Sequence, residues 1–237
     1  MIQSSNYFLN LAGSYIRNTL NHENLSDVEV INIVNKQKIP YLYRFKKHSL
    51  IPRIKKIIDI AVDLSPNTIL DIASQRGALL FPLLDRFNQY QIDCHITSTD
   101  IDNNIIDFLK STSTDIDNLN VVNADVTNLP FLDNSYECVI CSEILEHLKL
   151  PMLAAKEMIR VSTNFIICSV PALPDNNTEH IQLFYDIKPH DKQIITRDIQ
   201  YNQINLKQLW LDAGASSCKI KIINNHPCSI LLAVIQV

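Results

Sequence analysis

From Asn67 onward the chain alternates short apolar runs with helix-patterned stretches, and this alternation restricts the fold more than any other feature. Strands are expected at Thr68 to Ala73, Ile92 to Thr97, Leu119 to Val122, Glu137 to Cys141 and Phe165 to Val170. Helices are expected at Ala78 to Phe87, Asn103 to Leu109, Pro151 to Val161, and Leu206 to Ala213, the last closed by Gly214. Strands alternating with helices build a mostly parallel sheet covered on both faces. The ending departs from that rule. Lys219 to Ile223 and Ile230 to Val237 read as two strands joined through Asn224-Asn225-His226-Pro227, a terminal antiparallel hairpin.

Residues 1 to about 65 read as mostly helical, an extension that could act as a lid on a main domain at 66–237. Leu50, Ile51, Ile54, Ile57, Ile58, Ala61, Val62 and Leu64 follow a helical spacing that stops before Ser65-Pro66. Upstream, Arg44, Lys46, Lys47 and His48 form a basic cluster, readable as a hold on an anionic substrate or as a solvated face.

With 237 residues, 46% hydrophobic and 19% charged, the chain has the balance of an ordinary globular protein. Its net charge of -4 argues against a partner made of nucleic-acid phosphate, which would call for a basic face. The start, Met1 to Ser5, lacks a charged region followed by an apolar run, so no signal peptide is expected. No apolar stretch approaches the ~18 residues that span a bilayer. The six cysteines lie scattered in apolar segments, which fits a reduced, cytoplasmic setting better than a disulfide scaffold. Cys138 and Cys141, three apart on a strand, face opposite ways and read as buried thiols. Trp210 reads as core. There are only three glycines, Gly13, Gly77 and Gly214, so each is informative.

The first strand runs into Asp71-Ile72-Ala73-Ser74-Gln75-Arg76-Gly77 and then a helix. In an open α/β sheet a ligand sits outside the carboxyl ends of the strands, and the loop there lets backbone approach it. The second strand leads to Thr99-Asp100-Ile101-Asp102, the spacing of a βαβ unit. Asp100 could also be a helix N-cap. Then follow Asp125-Val126, Leu129-Pro130-Phe131 and Asp133 to Ile140, and after them Ser142-Glu143-Ile144-Leu145-Glu146-His147-Leu148.

On these residues the chain resembles the class I S-adenosylmethionine (SAM)-dependent methyltransferases, over roughly residues 45 to 237. The resemblance is to the stand-alone bacterial small-molecule type (methyltransferase-11-like). It implies a Rossmann-like three-layer α/β sandwich with a seven-stranded, mostly parallel sheet. The terminal hairpin separates this variant from a dinucleotide dehydrogenase fold. The family's first motif is an acidic residue followed by glycines at alternate positions. Asp71 and Gly77 fit it, while Ala73 and Gln75 replace two glycines. The resemblance implies that SAM is the cofactor. It implies that Asp71, Ala73, Gln75, Gly77, Asp100, Ile101, Asp125, Val126 and Ser142 hold it, with Asp100 on the ribose hydroxyls and Asp125 and Val126 on adenine. Gln75 puts a side chain where bare backbone usually meets the cofactor.

Small-molecule O- and C-methyltransferases carry runs like Ser142 to Leu148, and Asn176 to Phe184 resembles the exit from their fifth strand. His147 and His180 are the candidate catalytic bases for a hydroxyl acceptor, while a carboxylate acceptor needs positioning alone. Glu143, Glu146 and His147 could share a helical face. With His180 they make a possible metal set resembling small-RNA ribose 2′-O-methyltransferases. The other reading of these residues is a dipole-favoured helix start, and no metal is favoured. The expected function is methyl transfer from SAM to a small-molecule acceptor, a carboxylate or hydroxyl, as in biosynthesis. The alternatives are a metal-assisted RNA methyltransferase and an inactive fold that binds a ligand or partner. Neither a membrane partner nor a particular oligomeric state is implied.

Overall fold

A computed structural model describes residues 26, 29, 52–114, 116–172, 199–224 and 229–237. The basic cluster from Arg44 to His48, His180 with the rest of Asn176 to Phe184, and Asn225 to Pro227 lie outside these residues. The chain divides into two compact units, Met1–Asp125 and Val126–Val237.

In the first unit, helix α1 spans Pro52–Leu64. It buries Ile54, Ile57, Ile58 and Ala61, the i, i+3, i+4, i+7 stripe expected from the sequence. Strand β1 follows at Thr68–Ile72, helix α2 at Leu80–Gln89 and strand β2 at His95–Asp100. Helix α3 spans Asn103–Thr112, and strand β3 spans Leu119–Asn123. The three strands are parallel in the order β3-β2-β1, with Asp71 beside Ser98 and Asp100 beside Asn123. All of β1 beyond Thr68 is buried, as a strand covered on both faces requires.

Strand β2 lies three residues later than expected. Gln91 takes a left-handed φ of 56°, and Ile92 donates its N–H to the Phe87 carbonyl. Ile92 to Cys94 are therefore spent on the turn after α2. The strand continues instead through Thr97, Ser98, Thr99 and Asp100, all of them buried. Helix α2 likewise starts later than Ala78, because residues 75–79 form a turn.

The second unit holds strand β4 (Tyr136–Ser142), a short 3-10 helix (Leu145–His147), helix α4 (Pro151–Val161) and strand β5 (Ser162–Pro171). Helix α5 spans Gln203–Ala213, and strands β6 and β7 span Ser217–Ile223 and Ile230–Gln236. Strand β4 runs parallel to β5, whereas β7 is antiparallel to both β5 and β6. The order is β4-β5-β7-β6, with the expected antiparallel ending, and it brings the described strands to seven. Cys138 and Cys141 are fully buried on β4, and Trp210 is fully buried on α5.

Helix α5 starts earlier than its apolar pattern suggested. Asn202 caps the amides of Ile204 and Asn205, and the Asn205 side chain answers to the Asn202 amide. Gly214 ends the helix at φ +116°, donating to the Leu211 carbonyl. A Cβ there would meet nothing within 4 Å, so replacing it tests backbone conformation alone. Gly214→Ala is expected to cost about 1 kcal/mol in urea unfolding. A loss beyond roughly twice that would point to a side-chain clash, and no loss would contradict the left-handed cap.

Candidate functional site

The first unit gathers its chemistry where β1 and β2 end. The backbone leaves β1 through Ala73 (φ 51°), Gln75 (φ 49°) and Gly77 (φ 75°), all left-handed. These are the alternate positions at which the resembled motif carries glycine. The substitutions have therefore kept the backbone path, at roughly 1 kcal/mol or more of strain for each non-glycine residue. Gly77 has a separate reason to stay. A Cβ there would run into the ring of Phe81 on α2.

Ser74, between the two strained residues, is held on every side. Its N–H donates to the Thr99 carbonyl at 2.8 Å, and its carbonyl accepts from Gly77 at 2.9 Å. Its hydroxyl donates to Asp71 Oδ2 at 2.6 Å and accepts from the Ser98 hydroxyl at 2.7 Å. Thr99 adds a bond from its hydroxyl to the Asp71 carbonyl.

Asp100 is not the helix cap. Asp102 takes that role, accepting from the Asn104 amide. Asp100 instead accepts the Gln75 N–H on Oδ2 and the Asp102 N–H on Oδ1, each at 3.0 Å. It is 7% exposed. A carboxylate offers about four lone-pair sites, so two backbone bonds leave capacity for further donors such as ribose hydroxyls. Next to it Ile101 stands 66% exposed, an apolar side chain at a strand exit. The side chain of Gln75 is exposed. These features fit a ligand carrying paired hydroxyls and an apolar face. Asp125, also exposed, closes the unit, and Val126, buried, opens the next.

The second unit has its own polar cluster where β4 and β5 end. The Ser169 hydroxyl donates to Glu143 Oε1 at 3.2 Å, so the 2.9 Å bond between Ser142 and Ser169 takes its proton from Ser142. Glu143 is left-handed at φ 60° and precedes the 3-10 helix. The helical face expected to join Glu143, Glu146 and His147 is thus not formed: the turn is 3-10 and Glu143 stands outside it. Glu146 is buried, while the His147 side chain is 53% exposed, with Nε2 at 3.8 Å from Glu146 Oε1. Among the described residues no group of three or more His, Cys, Asp or Glu is placed to hold a metal ion. Farther along, Arg160 bonds Glu157, Asp133 and the carbonyls of Leu129 and Phe131, fixing the segment after Val126.

Residues 70–164 match the family described as Methyltransferase domain. The fold is that of the class I methyltransferases. Solved structures share the fold at low identity. A SAM-dependent methyltransferase from Aquifex aeolicus is 14% identical, with TM-score 0.53, over 78% of this chain and 97% of its own. The N-terminal domain of EvdMO1 with SAH bound is 17% identical, with TM-score 0.56, over 76% and 80%. The [4+2]-cyclase SpnF is 10% identical, with TM-score 0.59, over 76% and 79%. No curated protein sequence matches significantly.

The loop from Asp71 to Gly77 therefore keeps left-handed backbone at 73, 75 and 77, where the resembled motif carries glycine. Ser74, Ser98 and Thr99, which tie that loop to β2, were not among the residues expected from the sequence. The available signal was the polar run Thr97 to Asp100, in a place where a parallel strand covered on both faces would be apolar.

Asp71 gives this network a pH dependence. Burial pushes its carboxyl up to about 7, against a lowering by the Ser74 hydroxyl, with the charge of Asp100 adding to the rise. A native pKa above the unfolded one means that the folded state holds the proton more tightly. Stability from this residue is full below about pH 4 and is lost as pH rises through about 7, by up to ~4 kcal/mol. Asp71→Asn still accepts from Ser74 but cannot ionise. Urea unfolding from pH 4 to 8 should show wild type losing stability relative to this variant. Parallel curves would refute the assignment.

Proposed function

We propose that this protein transfers the methyl group of SAM to a small-molecule acceptor, at oxygen, in a biosynthetic reaction. The observation that carries the reading is the loop from Asp71 to Gly77, left-handed at 73, 75 and 77 and bonded through the Gln75 amide to Asp100. The match of residues 70–164 to the Methyltransferase domain supports it. The SAH-bound EvdMO1 domain supports the cofactor.

In this reading Asp71, Ala73, Gln75 and Gly77 shape the cofactor loop. Asp100 receives the ribose hydroxyls, Ile101 flanks them, and Asp125, Val126 and Ser142 complete the cofactor set. SAM supplies a methyl group already activated on a sulfonium. The chain's own task is to orient the acceptor and exclude water. A carboxylate acceptor is a nucleophile at neutral pH and needs no base. For a hydroxyl acceptor, His147 would take the proton, with Glu146 Oε1 at 3.8 Å from its Nε2. His180 is the second candidate base, and the segment before α1 is the proposed lid. The five described cysteines are buried thiols, which supports a reducing, cytoplasmic setting. No helix among the described residues is long and apolar enough to cross a membrane.

Calorimetry with SAM and SAH tests the reading. Both are expected to bind, and Asp100→Ala should weaken SAH about 100-fold, the loss of charge-assisted hydrogen bonds. Absence of binding by wild-type protein would sink the reading. Binding without methyl transfer to any acceptor would leave a ligand-binding fold, for which the cyclase is a precedent in architecture alone.

A further inference from the structure

The loop from Ala73 to Gly77 poses a problem of stability. Two of its residues sit left-handed with side chains that disfavour that conformation. Such residues persist only where their surroundings over-determine them. The surroundings here are specific. Ser98 lies on β2, directly beside Asp71 in the β1–β2 register, and is fully buried. Its hydroxyl donates to Ser74, and Ser74 has a single hydroxyl proton. That proton goes to Asp71 Oδ2 at 2.6 Å rather than to the Asp71 carbonyl at 3.1 Å. The direction of the chain is thus Ser98 to Ser74 to Asp71. Without Ser98, the Ser74 oxygen loses its donor inside the protein.

We infer that Ser98 is a positioning residue for the cofactor loop, and that the chain Ser98–Ser74–Asp71 does by clamping what glycines at 73 and 75 would do by permissiveness. The inference rests on the proposed SAM function, which gives the loop its task. It identifies a residue on the neighbouring strand that touches no ligand and acts through Ser74. It also makes a claim that ordinary structural support does not make. The need for the clamp should disappear when the strain it opposes is removed.

The test is a double-mutant cycle. Ser98→Ala is made in the wild-type background and in an Ala73→Gly, Gln75→Gly background. SAH affinity is read by calorimetry, and backbone amide exchange at Ser74, Gln75 and Gly77 is read by NMR. In the wild-type background Ser98→Ala should weaken SAH about tenfold and speed exchange at these amides by a similar factor. In the glycine background the same substitution should change each by less than about threefold. Amides of β5 and β7 serve as the control for global destabilisation. Equal losses in both backgrounds would make Ser98 a general core residue and overturn the inference, as would no loss in either. If wild type binds no SAH, the functional reading fails, while the exchange data still decide whether the clamp exists.

Discussion

The backbone N–H of Gln75 donates to the buried carboxylate of Asp100, and this bond ties the exit of the first strand to the exit of the second. Each partner needs the other. A left-handed segment turns its amides away from any sheet neighbour, and a buried amide without an acceptor is costly. A carboxylate with 7% exposure needs donors for the same reason. The Ser74 amide bonds the Thr99 carbonyl just upstream, carrying the β1–β2 pairing past the last regular pair, Asp71 with Ser98. The loop thereby inherits the rigidity of the strands. A site built this way can present backbone to a ligand without ordering it on binding, so less of the interaction is spent on entropy.

How much of this was legible in the sequence depended on which force decided each feature. Helix α1, β1, α4 and β7 were readable because burial decided them, and burial writes an apolar pattern into the chain. Strand β2 was misplaced because its second half is polar. Thr97 to Asp100 are buried, and Ser98, Thr99 and Asp100 are held by specific hydrogen bonds, which leave no periodic trace. Asp71 and Asp100 stood out by spacing. Ser74 and Ser98 did not, since a serine near a strand end reads as a loop former. Glu143, Glu146 and His147 misled in the opposite direction. Their spacing is helical, but Glu143 is left-handed and the following turn is 3-10. Local discord between pattern and structure is concentrated at the strand ends, where ligand sites of α/β folds lie.

A chain with only three glycines must reach left-handed backbone by other means. Among the described residues Ser65, Ala73, Gln75, Gln91, Asn134 and Glu143 all have positive φ. The loop from Ala73 to Gly77 and Glu143 share one solution, a serine–serine–carboxylate chain across two parallel strands. In the first unit it runs Ser98 to Ser74 to Asp71, and in the second Ser142 to Ser169 to Glu143. Asn134 is held differently, its amide on the Arg160 carbonyl while the Arg160 guanidinium gathers Asp133 and the carbonyls of Leu129 and Phe131. In each case side-chain hydrogen bonds offset a backbone cost that glycine would have avoided. Positions of this kind tolerate substitution poorly, because the strain remains when the bond is lost.

The fold does not decide the reaction, as its occurrence in a [4+2]-cyclase illustrates. What decides is which group can meet an acceptor and take its proton. In the second unit the carboxylates at the strand ends are committed. Glu143 receives Ser169, and Glu146 is 3% exposed with His147 alongside. The imidazole of His147, half-exposed, is the member of this group that reaches solvent. Acceptor class and dependence on the proposed base are therefore linked. With a hydroxyl acceptor, a base has a proton to take, and His147→Asn removes most of the activity. A carboxylate acceptor, already ionised, leaves His147→Asn nearly as active as wild type. Turnover by this variant thus distinguishes the two chemistries.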